Sequence, residues 1–345
     1  MIPPPASHSR IPGLDGLRAV SILLVIYSHV IQNYHWIKEV PFLWRLTAGS
    51  TGVSVFFVIS GYLITTLLLR EQARSGQISL RGFYMRRFFR IIPAYLAYVA
   101  AVALLGHWGW VKVTGPDFAK ALLYVTNYTQ VSWVFIHTWS LSVEEQFYLV
   151  WPLIVLVCKR RTLALVLASA LLVSVLARLG NQVYGVWPLN ADYAFEGRVD
   201  QLAFGCLCAL MQQQASAVHQ QRLARSGLPI SATLLAVAIA LPDGLIRTVF
   251  FNSLIGLATA VLIHACSRQP DLWLTRLLEN ATLRGLGLIS YSLYLWQQIW
   301  LAPELKASVP LPMALAGALL CAILSYLTIE KMGLQLRHSV ENRWR

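Results

Sequence analysis

Charge is scarce in this sequence: Asp, Glu, Lys and Arg together make up 12% of its 345 residues, about half the usual share for a soluble domain. Hydrophobic residues reach 57% and the mean hydropathy is +0.58, which excludes an ordinary soluble globular protein. Cysteine is rare as well. The five, Cys158, Cys206, Cys208, Cys266 and Cys321, sit in or at the ends of apolar runs, with neither a disulfide framework nor a zinc spacing, so no metal is expected. Acidic residues number 15 against 28 Lys and Arg, a net charge of +13. That excess gathers beside the apolar runs, where membrane insertion places it, and calls for no nucleic-acid partner. The N-terminal "MIPPPASHSRIPG" lacks both an apolar h-region and a small-residue cleavage site, and reads as a tail rather than a signal peptide. No internal repeat is visible. The expectation is a single transmembrane unit over residues 1–345, with tails at 1–13 and 332–345 and no appended soluble domain.

What the sequence has in abundance is apolar runs close to the roughly 20 residues that a helix needs to cross a bilayer. They fall near 14–34, 50–69, 88–106, 139–158, 162–179, 197–212, 228–242, 247–267, 286–303 and 310–331. The fold class is therefore all-α: a polytopic integral membrane helical bundle of about ten transmembrane helices. The apolar stretch 119–136 reads as a re-entrant or interfacial piece. Arginines cluster at alternate ends, as in Arg70, Arg74, Arg81, Arg86, Arg87 and Arg90, then Lys159, Arg160 and Arg161. Since basic residues stay on the cytoplasmic side, both termini are expected in the cytoplasm.

Against that apolar background the few charged residues stand out, because each is costly within a bilayer unless paired or hydrated. The first run, "LDGLRAVSILLVIYSHV", holds Asp15, Arg18 and His29. Arg18 and His29 are separated by 11 positions, about 1100° of helical rotation, so they share a face roughly 16 Å apart along the axis. Asp15 is one turn from Arg18 and placed to hold that guanidinium; an interfacial pair reads equally well for these two. "RGFYMRRFFRIIPAYL" supplies Arg86, Arg87 and Arg90, with Arg86 and Arg90 on one face. Positive-inside bias explains such arginines, and so does a phosphate ligand that Arg binds in bidentate fashion. "HTWSLSVEEQFYLVWP" brings Trp139, Ser140, Ser142, Glu144, Glu145 and Gln146 to the start of a span, more polar groups than helix capping requires. Further polar residues recur in "EGRVDQLAFG" (Glu196, Arg198, Asp200) and "LGLISYSLYLWQQ" (Ser290, Tyr291, Tyr294, Gln297). Turned inward together, they would line a hydrated cavity. Taken singly, Trp139, Tyr291, Tyr294 and Trp296 are equally at home in an interfacial aromatic belt.

Five strings in one order, "LDGLRAVSILLVIYSHV", "GVSVFFVISGYLITTLLL", "FYMRRFFRIIPAYL", "TWSLSVEEQFYLVWP" and "LGLISYSLYLW", resemble the acyltransferase-3 family of membrane acyltransferases across essentially the whole chain. The resemblance implies an O-acyltransferase of a bacterial cytoplasmic (inner) membrane. Such proteins take an acyl group, commonly acetyl, from cytoplasmic acyl-CoA (acetyl-CoA) and deliver it to a hydroxyl of an extracytoplasmic carbohydrate or glycolipid. Carried over by position, it implies that His29 is the catalytic histidine with Arg18 its motif partner, that Arg86, Arg87 and Arg90 lie near the coenzyme A phosphates, and that Glu144 is the acid of its string. Asp15 is a further catalytic candidate, Arg18 a further acyl-CoA-binding one, and Trp139, Ser142, Tyr291 and Gln297 are candidates for binding the acceptor. Two features depart from the pattern. Many relatives have a histidine where this chain has Gln297, and some carry an extra extracytoplasmic hydrolase-like domain, whereas this sequence stops at Arg345. A stand-alone enzyme, a homo-oligomer or an enzyme beside a separate periplasmic partner are the resulting expectations.

The chemistry fits an imidazole that removes the acceptor's proton, with Glu144, if folded against His29, orienting the ring. Direct transfer and an acyl-histidine intermediate both remain open. The main rival reading is a proton-coupled transporter of a sugar or anionic metabolite, since charges within a bundle also mark transport paths; a scaffold leaves Arg18 and His29 unexplained.

Overall fold

The computed structural model describes residues 10–33, 45, 51–185, 192–305 and 308–343, with side chains described as far as residue 337. Among these residues all regular structure is helical. The elements are α1 (Leu14–Asn33), α2 (Thr51–Ser75), α3 (Leu80–His107), α4 (Gly115–Leu122), α5 (Trp133–Ile136), α6 (Thr138–Val157), α7 (Arg160–Tyr184), α8 (Val199–Gln214), α9 (Ala217–Ala240), α10 (Leu245–Arg268), α11 (Trp273–Leu278), α12 (Ala281–Leu288), α13 (Ser290–Trp300), α14 (Leu311–Ser325), a π-helical turn (Tyr326–Glu330) and α15 (Lys331–Arg343).

Eight helical stretches among the described residues are long and apolar enough to cross a bilayer: α1, α2, α3, α5–α6, α7, α9, α10 and Leu311–Arg337. The other two of the ten spans read from sequence fall short for different reasons. α8 has 16 residues and lies deep in the bundle between α2 and α10. The run at 286–303 is broken at Ile289 into α12 and α13, of 8 and 11 residues, each shorter than a bilayer crossing needs. Within the C-terminal tail expected at 332–345, α15 runs to Arg343 and packs on α3. The stretch 119–136 is α4, a turn and α5, with Tyr124 at a φ of 53° and Thr126 hydrogen-bonded to Thr138 and Ser142 at the head of α6.

Outside the long helices, α4 opens with Asp117 accepting from the backbone N–H (3.0 Å) and hydroxyl (2.9 Å) of Thr114, and from Ser132. Burial alone would raise the Asp117 carboxyl, but these hydrogen bonds and nearby Lys120 outweigh it and hold the group below its ordinary value. In the facing loop, burial and the adjacent Glu196 push the Tyr128 phenol up to about 12.

Helix α1 is central because it touches α2, α11, α12 and α13. Its approach to α11 and α12 is so close that a Cβ at Gly16 would lie 2.2 Å from the Leu278 carbonyl oxygen, and one at Gly287 would lie 1.9 Å from that of Asp15. Glycine is required at both contacts. They set the depth of α1, and with it the heights of Arg18 and His29.

The polar groups of "EGRVDQLAFG" do not enter a hydrated cavity. Arg178 of α7 and Asp200 of α8, both sealed from solvent, form an ion pair of 2.7 Å that Ser253 and the Gly197 carbonyl complete. Arg198 reaches Asp192 and lies over the Trp139 ring, 5.2 Å from its centroid. Such charges are tolerated in an apolar interior because each meets an opposite charge and hydrogen-bond partners.

Candidate active site

One cavity opens among α1, α2, α3, α6, α12, α13 and the π-helical turn. Its walls hold three guanidinium groups, Arg18, Arg87 and Arg90, and three carboxyl groups, Glu144, Glu145 and Glu330. None of the six takes part in an ion pair within contact distance among the described residues. Instead Glu144 accepts from Ser60 (2.5 Å), which in turn accepts from Tyr148 (3.0 Å). Glu330 accepts from Ser292, whose Oγ lies 3.0 Å from that of Ser325. Arg87 lies over the Tyr148 ring, 5.1 Å from its centroid. Glu144 and Glu330 are thus held by hydroxyls, while Arg18, Arg87 and Arg90 have no hydrogen-bonded partner among the described residues. A cavity of that kind can take an anion with several oxygens, such as a phosphate.

Farther along α1, past Arg18, stands His29, half-buried and not among the residues that line this cavity. Its Nδ1 is 2.9 Å from Oε1 of Gln297 on α13. The amide's orientation is fixed, because Gln297 Nε2 donates to the Tyr294 carbonyl (3.3 Å) and to Gln298 Oε1 (3.1 Å), while Gln298 Nε2 donates to the Trp133 carbonyl (2.8 Å). Oε1 can only accept. His29 Nδ1 therefore carries the proton in the neutral ring and Nε2 carries the lone pair, the tautomer that a general base or nucleophile needs. The Trp133 ring packs edge-on against the imidazole at 5.8 Å.

Between the arginine cavity and His29 lies a layer centred on Tyr294, one helical turn before Gln297. The Tyr294 hydroxyl donates to the His137 carbonyl (2.7 Å) and accepts from Ser140 Oγ (2.6 Å), and its ring meets Phe56. Tyr294, Ser140 and Phe56 all line the cavity. Beside them the His137 side chain is sealed, 1% exposed, with neither ring nitrogen hydrogen-bonded. Leaving a buried polar atom unpaired costs about 1–3 kcal/mol.

Residues 11–330 match the family model described as an acyltransferase domain, the acyltransferase-3 model, and so nearly the whole chain is covered. The chain belongs to the acyltransferase-3 family. Among its relatives, the "Putative peptidoglycan O-acetyltransferase YrhL" of Bacillus subtilis (strain 168) is 32% identical over 331 residues, covering 84% of this chain and 48% of that protein. The peptidoglycan O-acetyltransferase OatA of Listeria monocytogenes is 28% identical over 326 residues, covering 84% of this chain and 49% of its own. The chain thus spans about half the length of these curated relatives. No solved structure matches it.

In this acyltransferase-3 chain several expected site residues come together and others do not. Arg18, Arg87, Arg90, Glu144 and Tyr291 all line the cavity, Tyr291 with its hydroxyl on the Ile91 carbonyl (3.0 Å). Arg86 is drawn away by Glu71 at 3.0 Å and is absent from the cavity wall, so Arg87 and Arg90, rather than Arg86 and Arg90, make the facing pair. Asp15 is bound to Arg10 at 3.0 Å instead of to Arg18, and Glu279 binds the same arginine. Ser142 turns to Thr126 and the Thr138 carbonyl, and it is Ser140 that lines the cavity. Trp139 is buried between Phe57, Tyr193 and Arg198. Glu144 meets Ser60, not His29; the group that orients the imidazole is Gln297, expected as an acceptor contact.

Sequence reasoning missed Ser60 and Glu330. Ser60 is a single hydroxyl in "FFVISGYL", and Glu330 passes as an ordinary charge at the end of the last span. Only the π-helical turn, a feature often found at functional sites, marks Glu330 as special.

Proposed function

We propose that the chain is an acetyl-CoA-dependent O-acetyltransferase of the bacterial inner membrane, with both termini in the cytoplasm, that esterifies a hydroxyl of an extracytoplasmic carbohydrate or glycolipid. The observation that carries this reading is the pairing on α1 of Arg18, in a cavity of uncommitted guanidinium groups, with His29, whose tautomer Gln297 fixes. Acyl-CoA is the donor that suits such a cavity, since its phosphates match Arg18, Arg87 and Arg90 and its pantetheine arm matches the roughly 16 Å between Arg18 and His29 on one helix. The thioester then passes the Tyr294 layer to meet the imidazole. His29 Nε2 takes the acceptor's proton as its oxygen adds to the thioester carbonyl, and returns it to the departing thiolate. The relatives' names, which specify peptidoglycan O-acetylation, point to a cell-wall glycan as acceptor class.

In this reading a second copy or a separate periplasmic partner takes part in full transfer in the cell. The reading is tested with purified protein, acetyl-CoA and a glycan acceptor. Release of coenzyme A matched by acetyl ester on the glycan supports it; uptake of solute without thiol release supports a transporter instead. Varying both substrates separates the two chemical routes. Intersecting double-reciprocal lines indicate a ternary complex, and parallel lines an acyl-histidine.

A further inference from the structure

A second recess lies at the end of the bundle where α2 and α6 finish and α7 begins, and it shares no lining residue with the arginine cavity. Its floor is apolar, built from the buried side chains of Leu69 on α2, Val155 on α6 and Leu163 on α7. Val157, 77% exposed at the end of the membrane-spanning α6, carries that apolar lining out to the surface. Lys159 and Arg160 line the same recess, both exposed, and neither has a hydrogen bond or an ion pair among the described residues. Among the described residues no carboxylate lines it, and the Gln72 and Gln213 amides supply further polar groups. Retention of basic residues beside a span accounts for the two charges. It does not account for a recess whose wall joins them to a buried apolar floor.

We propose that this recess binds an anionic phospholipid, its phosphate at Lys159 and Arg160 and one acyl chain against Val157 and the apolar floor. Charge complementarity selects the occupant. Two cations with no carboxylate beside them favour a phosphodiester, and basic pockets between helices on the cytoplasmic side are where such headgroups bind. In the topology proposed above, this end of the bundle is cytoplasmic. A zwitterionic phospholipid fits less well, because its headgroup amine adds a third positive charge where the wall offers no negative one. A free phosphate satisfies the cations but makes no use of the apolar wall. The Gln72 and Gln213 amides suit the hydroxyls of a glycerol headgroup, which makes phosphatidylglycerol the probe of choice. Capture of the lipid is independent of acyl transfer, since none of these residues lines the arginine cavity.

The test uses full-length protein in phosphatidylcholine nanodiscs with and without phosphatidylglycerol. Native mass spectrometry counts the phosphatidylglycerol retained. Maleimide alkylation is followed at Cys158, which lines the recess, with Cys321 of α14, also half-buried, as the internal reference. The expected result is that phosphatidylglycerol slows alkylation of Cys158 and leaves Cys321 unchanged. The Lys159→Ala/Arg160→Ala double variant is expected to bind the lipid about 30-fold more weakly, the combined scale of two basic residues at a membrane surface. It loses the protection of Cys158 while keeping the wild-type thermal midpoint. Arg222→Ala/Arg225→Ala removes the same charge from exposed positions on α9 and leaves both affinity and protection as in the wild type. Equal weakening in the two double variants overturns the proposal in favour of diffuse surface charge. Protection of Cys158 by inorganic phosphate alone overturns it in favour of a free anion. Failure of phosphatidylglycerol to protect Cys158 in the wild type overturns it outright, whatever the variants do.

Discussion

At the residue scale the decisive partnership is between His29 and Gln297. A histidine with a proton on Nδ1 needs an acceptor there, and the glutamine amide, pinned by two other acceptors, presents its oxygen. Gln297→Ala is expected to lower kcat at least about tenfold by releasing the tautomer. Gln297→Glu, which also accepts, retains more activity; coenzyme A release measures both. The arginines separate in the same way. Arg87 faces the cavity while Arg86 is tied to Glu71. Arg87→Ala is predicted to raise the KM for acetyl-CoA about 10- to 100-fold, the weight of a lost hydrogen bond to a charged group. Arg86→Ala loses only a half-exposed ion pair and changes that KM little.

At the scale of elements, helices outside the site are fixed by identifiable local devices. The short α4 depends on Asp117, whose carboxylate closes the capping interaction with Thr114 and takes Ser132 from the neighbouring loop. Asp117→Ala is expected to cost about 1 kcal/mol at neutral pH, read as a lower unfolding midpoint. The folded carboxyl lies below its ordinary value, and unfolded Asp titrates near about 3.9. The stabilisation is therefore complete above that pH and is lost as pH falls through the folded value, so wild type and variant converge in acid. Helices α7 and α8 are joined by the sealed Arg178–Asp200 pair. Asp200→Asn strands a buried guanidinium and is expected to destabilise by about 3–5 kcal/mol. Replacing both partners by leucine or methionine restores most of that loss in the same denaturation measurement.

At the scale of the whole molecule, the all-helical membrane architecture was legible because apolar runs of bilayer length leave a helical bundle as the economical arrangement of such a sequence. The count of ten was less so. The run at 286–303, read as one span, is two short helices, and the second of them, α13, carries Ser290, Tyr291, Tyr294 and Gln297 into the site. Helical periodicity rightly placed Arg18 and His29 on one helix, and the strings around Arg87, Glu144 and Tyr291 pointed to residues that meet in one cavity. Partner choice was not legible, because it depends on contacts distant in sequence. Glu144 finds Ser60, 84 positions away, Asp15 finds Arg10, and Gln297 crosses 268 positions to His29. Periodicity within a helix gives a face, and only tertiary packing decides which of several neighbours a carboxylate or an imidazole meets. The π-helical turn that brings Glu330 into the cavity has no signature in a single sequence.

In the proposed reaction an acyl group held at the arginine cavity is transferred through His29. The most direct measurement is coenzyme A release by purified His29→Ala in the presence of acetyl-CoA and a glycan acceptor, alongside binding of acetyl-CoA to the same protein. The prediction is turnover reduced by at least about 100-fold, the scale of a lost general base, with acetyl-CoA binding retained. Turnover close to that of the wild type would contradict it.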